Sequence, residues 1–358
     1  MTSILPNLVT ELERLSLGRD KDAPRRDFEN TIEDPVGFSS FYLKERPPTT
    51  ISTDEFVNEC LNPKLDQTHQ ELLIEENHEY FAKAQRFCDR WNLPEQNSDN
   101  FKRLLRGNLL FPVLLLINPC NFHDEDYDQM LEHSPTLDWL SWFFTSIGLS
   151  LDDIVIIDII PLLSKAKRNT MTFEELSKAI PEAFDLAIEF LDIFKPNAII
   201  SCQCLTKGQL DETWGRFDHP IARDLCSSVD GACRLEVRRL TIRSRQVHVV
   251  KGFHPCYFLR EPDASISDQR EDLLCQVLRK SYQPCADWKL RIKKDMARQQ
   301  LTEASNRVKE GLIAFFDILR PYKEAKEEAA GYGISLDEDD LAEDPDVELL
   351  VRQLVEFL

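Results

Sequence analysis

The sequence predicts an α/β fold built on a short parallel sheet whose strands are covered on both faces. Three observations carry that prediction. Four apolar runs without polar alternation occur around residues 114–117, 154–160, 198–202 and 247–253, and such runs suit strands buried on both sides. Segments of helical period lie between them, and strands alternating with helices imply parallel strands joined by right-handed crossovers. Three of the runs stop at, or just before, a polar residue followed by a proline: Asn118-Pro119, Asp158-Ile159-Ile160-Pro161 and His254-Pro255. Strand ends of a parallel sheet open together onto one crevice, and such crevices hold ligands. Asn118, Asp158 and His254 are therefore expected to converge on one site.

Taken in order, residues 1–66 are rich in Pro, Asp, Arg and Thr and are expected to form an irregular extension after a short amphipathic start near Leu8 to Leu17. From Thr68 onward Leu73, Tyr80, Ala84, Phe87 and Trp91 recur at helical intervals, and Asn92-Leu93-Pro94 ends that helix. The first strand spans 112–117. An aromatic helix follows over 137–147 and stops at Gly148. The second strand is 154–159, and a helix over 173–194 carries Pro181 in or near its first turns. Lys195-Pro196 then launches the third strand, 198–202. Arginine-rich residues 233–245 read as a hairpin or strand before the fourth run, 247–253. Residues 268–281 and 287–328 look helical. The expected organisation is an extension over 1–66, an α/β domain over 67–262, a helical extension over 263–332 and an acidic tail over 333–358.

Composition narrows the function classes. An apolar content of 42% suffices for a globular core, and no window approaches the roughly 18 apolar residues a membrane span needs. The amino terminus shows no basic region followed by an apolar signal core. A nuclear or cytoplasmic protein, not secreted and not membrane-bound, is expected, with its ten cysteines as free thiols. The net charge of −20 is unevenly spread. From Asp337 onward nine acids stand against Arg352 alone, while Arg234, Arg238, Arg239, Arg243, Arg245 and Lys251 face only Glu236. A second basic cluster, Lys289 to Arg298, follows Trp288. Local patches rather than the sum decide whether phosphate is attracted, although a solvated face is the commoner role of any charge run.

Other chemistries find no support. The segment His123-Asp124-Glu125-Asp126 matches neither a calcium loop nor a zinc motif, and the cysteines lack paired CxxC spacing. No metal or cofactor is expected. No phosphate-cradling glycine loop and no G-x-S-x-G elbow occurs.

The four segments and their order resemble the uracil-DNA glycosylase superfamily over roughly residues 70–262. Leu116-Ile117-Asn118-Pro119 is similar to that family's first motif, in the branch that carries Asn and includes the mismatch-specific and single-strand-selective enzymes. Leu140-Ser141-Trp142-Phe143-Phe144 with Gly148-Leu149-Ser150 looks like the stretch that follows it. Asp158-Ile159-Ile160-Pro161 stands where the family has Asn, Lys195-Pro196 before a strand is a family habit, and Phe253-His254-Pro255-Cys256 resembles its His-Pro-Ser motif.

The resemblance implies a three-layer α/β/α fold and excision of a uracil-type base from DNA without a cofactor, by a protein expected to be a monomer. It gives His254 the role of donor to the departing base anion and Asn118 that of positioning a water. Ile117, Pro119, Cys120 and Asp158 would surround the base. Tyr257, Phe258, Leu259 and Arg260 would form a wedge into DNA, while Arg238, Arg239, Arg243 and Lys251 would meet phosphates. Three departures stand out: Leu116 replaces a glycine, Cys120 a small or aromatic residue, and Asp158 an amide. Ionised, Asp158 only accepts hydrogen bonds and would repel uracil O4. A fold that has lost catalysis and kept DNA or protein binding is therefore the second expectation. Each motif also has a plainer role. Asn118-Pro119 is an ordinary turn, His254-Pro255 an ordinary loop, and the aromatic helix ordinary core.

Overall fold

The computed structural model describes residues 50–204, 212–243 and 245–333. The acidic tail beyond 333 and the extension before 50 lie outside the described residues. Six strands form one sheet: β1 (Thr50–Ser52), β2 (Val113–Leu116), β3 (Ile156–Asp158), β4 (Ala198–Ser201), β5 (Glu236–Ile242) and β6 (Arg245–Lys251). Their order across the sheet is β1-β5-β6-β4-β2-β3. β3, β2, β4 and β6 are parallel neighbours, and β5 with β1 adds an antiparallel edge. The four predicted runs are thus the four parallel strands. The arginine-rich segment is the strand that pairs back onto β6. Residues 50–66, expected to be irregular, instead hold β1 and a chain of short helices from Thr53 to Asp66.

The missing polar alternation follows from burial on both faces. Along β2, Leu114 and Leu116 enter one hydrophobic cluster while Val113 and Leu115 enter the other. Helices α1 (Glu79–Arg90) and α4 (Phe173–Phe194) cover the second face, with Tyr80, Phe87, Phe184 and Phe190 nearly fully buried. Tyr80 lies wholly inside and donates its hydroxyl proton to the Leu186 carbonyl at 2.9 Å, so the buried O–H is not left unpaired. Helix α2 (Glu95–Leu104), between α1 and β2, has no counterpart in the sequence reading. Helix α3 (Pro135–Ser146) supplies Leu140, Phe143 and Phe144 to the first face.

Local signals set the boundaries. Thr172 and Glu175 form a reciprocal cap at the start of α4. Lys195 ends that helix in a left-handed conformation (φ 49°) immediately before Pro196, which turns the chain into β4.

The carboxyl-terminal helices predicted as two are one. Helix α5 runs from Ala264 to Gly331 through Pro284, although an internal proline removes a backbone hydrogen bond. Tertiary packing holds the join. Tyr282, Cys285 and Trp288 are buried in the first-face cluster, Tyr282 donates to the Pro112 carbonyl (2.8 Å), and the Trp288 indole N–H donates to the Thr68 carbonyl (2.9 Å). Up to Ile292 this helix is therefore part of the core rather than an appendage. No helix among the described residues is long and apolar enough to cross a membrane.

Candidate functional site

The parallel strands set out a level edge. Leu116 lies opposite Asp158, Leu115 opposite Ser201, and Ser201 opposite Lys251. The ladder continues one step further, from Cys202 N–H to the Leu115 carbonyl (2.8 Å) and from Gly252 N–H to the Ser201 carbonyl (2.9 Å). Asn118, Asp158 and His254 thus leave the same carboxyl end of the sheet, on β2, β3 and β6. The chain reverses its direction of travel across the sheet between β2 and β4, and this is where a parallel sheet opens a ligand crevice. Gly252 brings β6 close to β4: a β-carbon there would stand 2.9 Å from Cys202 Sγ and 3.3 Å from the Ser201 carbonyl oxygen.

Asp158 is 7% exposed, and its Oδ1 has no hydrogen-bond partner among the described residues. Burial without a countercharge pushes its carboxyl up to about 8. Cys120 lies close enough to feel that carboxylate, and burial lifts its thiol to about 11. Ile117 is half-buried against the second-face cluster, and Pro119 is buried. Past Asp158 the loop carries Leu162, wholly buried at φ 68°, a backbone region that a branched apolar residue rarely occupies.

The Asn118 amide is already engaged. Its Nδ2 donates to the Pro119 carbonyl at 2.8 Å, and its Oδ1 accepts from the Arg168 guanidinium at 3.3 Å. Arg168 is buried and lies 3.4 Å over the Trp214 ring, a stacking that suits a weakly hydrated guanidinium. Sequence reading passed over both residues. Arg168 is one of three cations in Lys165-Ala166-Lys167-Arg168, and only the tertiary fold turns that one inward.

His254 is half-buried. Its Nδ1 accepts from Cys256 N–H at 3.2 Å, so in the neutral ring the proton sits on Nε2. Burial, with the Arg260 charge beside it, pushes its imidazolium down to about 4. Near neutral pH it is an uncharged N–H donor. The same cap geometry recurs at His78 and at His219, which also precedes a proline, each accepting a backbone N–H two residues on. What separates His254 from these is its place at the end of β6.

Several expected contacts fall elsewhere. Lys251 is 4% exposed. Its ammonium donates to the Asp224 (2.6 Å) and Cys226 (2.9 Å) carbonyls, and burial lowers it to about 8. It is turned inward, away from any phosphate. Phe258 is also buried, edge-on to Trp139, so it braces the loop while Tyr257, Leu259 and Arg260 remain exposed. The arginines do not form one patch. Because β5 runs antiparallel to β6, Arg243 sits at the hairpin beside Ile242, whose partner is Arg245. That is the opposite end of the sheet from His254, about 20 Å away along β6. Arg243 pairs with Asp192 (2.7 Å), Arg238 with Glu236 (3.2 Å), and Arg239 donates to His248 (3.2 Å).

His123, in the segment that matches neither a calcium loop nor a zinc motif, is buried with Nδ1 3.2 Å from Met130 Sδ. Among the described residues no group of three His, Cys, Asp or Glu side chains is arranged to hold a metal ion. No protein-family model, curated protein or solved structure matches this chain.

Proposed function

We propose that the chain is a three-layer α/β/α DNA glycosylase of the uracil-DNA glycosylase type, which hydrolyses the N-glycosidic bond of a deaminated or damaged base. The observation that carries this reading is the neutral Nε2–H donor of His254 at the strand edge it shares with buried Asp158. Cleavage of the bond leaves negative charge on the departing pyrimidine. A fixed donor stabilises that charge, and a donor of this kind is worth roughly 100- to 1000-fold in rate. A target base has to leave the DNA stack to reach such a crevice.

Burial of Asp158 removes the difficulty its charge posed. A carboxyl group that titrates near 8 is largely protonated at pH 7. In that form it has one O–H donor and one acceptor, the pair an amide presents to uracil O4 and N3–H. Asn118 Oδ1 retains one lone pair beyond the one facing Arg168, enough to accept from a water.

The test is alkaline strand scission after incubation with DNA carrying uracil, a thymine mismatch or xanthine. Cleavage of at least one substrate, lost in His254→Ala, is expected. The second reading, a glycosylase-like module that binds without cutting, is favoured by the Arg168 contact, which occupies Asn118 from within the fold. DNA binding with no abasic product from any of the three bases would establish that reading in place of catalysis.

A further inference from the structure

Helix α5 leaves the core at Ile292, and every described residue from Lys293 to Gly333 is exposed or half-buried. About forty residues at 1.5 Å each make an arm of roughly 60 Å. Six of its apolar residues follow a heptad, and Ile313, Phe316 and Ile318 fall outside it. Leu301, Val308, Phe315 and Tyr322 occupy one seam position, and Leu312 and Leu319 the other. The outermost position, opposite this seam, carries an acid in four successive heptads: Glu303, Glu310, Asp317 and Glu324. An apolar seam backed by a charged outer face is the signature of a coiled coil. Yet Leu301 is 73% and Leu312 47% exposed, so the seam has no cover within this chain's described residues.

We propose that the occupant is the same arm of a second copy, packed antiparallel, so that the protein is a dimer rather than the monomer expected from the sequence. Charge selects both the partner and the direction. Residues 291–309 carry six bases and two acids, whereas 310–331 carry three bases and five acids. Antiparallel pairing lays the basic half of one arm along the acidic half of the other. Parallel pairing would set like against like over the whole length. With the two-fold axis near Glu310, where the basic and acidic halves meet, Leu312 meets Val308 of the second copy and Leu319 meets its Leu301. Each contact occurs twice, as an isologous interface requires. The inference is independent of any reaction in the crevice.

Sedimentation velocity on the full chain, from about 1 to 100 µM, tests it. A dimer is expected. Leu312→Glu with Phe315→Glu should raise its dissociation constant at least 100-fold and leave the circular dichroism of the core unchanged. Ile313→Glu, on the side away from the seam, should leave the constant within about threefold. Direction is read from a nitroxide carried on an encoded ketone residue in place of Glu328. The antiparallel pair separates the two labels by about 54 Å, from 1.5 Å rise per residue on either side of the axis, whereas a parallel pair holds them within about 15 Å. A monomer at 100 µM, a dimer indifferent to the seam variant, or the short label distance would each overturn the proposal.

Discussion

The ends of β3 and β6 each bury an ionisable side chain, and the two differ in whether it is satisfied. Lys251 is closed off: its ammonium donates to two backbone carbonyls from the segment 224–226, and buried Glu236 stands nearby. Asp158 is open, with one carboxyl oxygen unpartnered among the described residues and its carboxyl raised by burial. A buried charge whose hydrogen bonds are complete belongs to the architecture. A buried polar atom without a partner carries a cost that a water or a ligand offsets, and Asp158 carries it at the open end of a parallel strand. This difference directs a search for chemistry to the β2–β3 side of the crevice, with β4 and β2 lying between β3 and the β6 end that carries His254.

The largest effect that sharpens this contrast is on turnover. His254→Ala should lower base excision by roughly 100- to 1000-fold while shifting the urea midpoint little, as single-turnover kinetics and an unfolding curve would show. A large loss of stability with unchanged excision would make His254 only a cap for Cys256.

Next in size is Lys251→Met, which strands two carbonyls inside the fold. It should cost about 2–4 kcal/mol in chemical denaturation. A near-neutral result would mean that the β6 end is not closed as described.

Asp158→Asn should behave in the opposite way, and pH reveals the sign. The Asp158 carboxyl titrates at about 8 in the folded chain and near 4 when unfolded. The folded state therefore holds the proton more tightly. The stability this gives is complete below about pH 4 and is lost as pH rises toward 8. Asp158→Asn should remove that decline, so that its gain over the wild type grows from pH 5 to pH 8 by at most roughly 1.4 kcal/mol per pH unit. Lys251 titrates at about 8 against an ordinary 10.5, so its contribution is present above 10.5 and lost as pH falls through 8. The two windows barely overlap, and melting curves at pH 5, 8 and 10 separate them.

The smallest effect concerns DNA affinity. Arg238, Arg239 and Arg243 are divided between different stretches of the β5–β6 hairpin and already have partners. Replacing all three with Gln should change the slope of log affinity against log salt by about one at most. A change near three would return them to a single phosphate-binding face.

Much of this fold was legible because burial on both sides leaves a simple trace. β2, β3, β4 and β6 are continuous apolar runs, and their polar terminators pointed correctly to one edge of the sheet. β1 was not legible: Thr50-Ile51-Ser52 is three residues long and follows Pro47-Pro48, so its pairing with Arg238 depends on a partner almost 190 residues away. Pro284 read as a break because local propensity cannot register the burial of Tyr282 and Trp288 around it. Within the site, Asn118, Asp158 and His254 were visible as residue types at strand ends. Lys251 and Arg168 were not, since a cation is by default assigned to solvent, and only long-range packing turns these two inward.

Gly252 gives the crevice a tolerance measured in single atoms. The separation of β4 and β6 at their carboxyl ends is set by the absence of one carbon, since a methyl group would press on Cys202 Sγ and the Ser201 carbonyl together. The sulfur cannot retreat easily, because Cys202 is 1% exposed within the first-face cluster. Any larger residue at 252 would therefore act as a shim that splays the two strands and carries His254, two residues on, away from Asp158. The place of His254 at the strand edge is thus governed from beneath, by a position two residues away that carries no side chain.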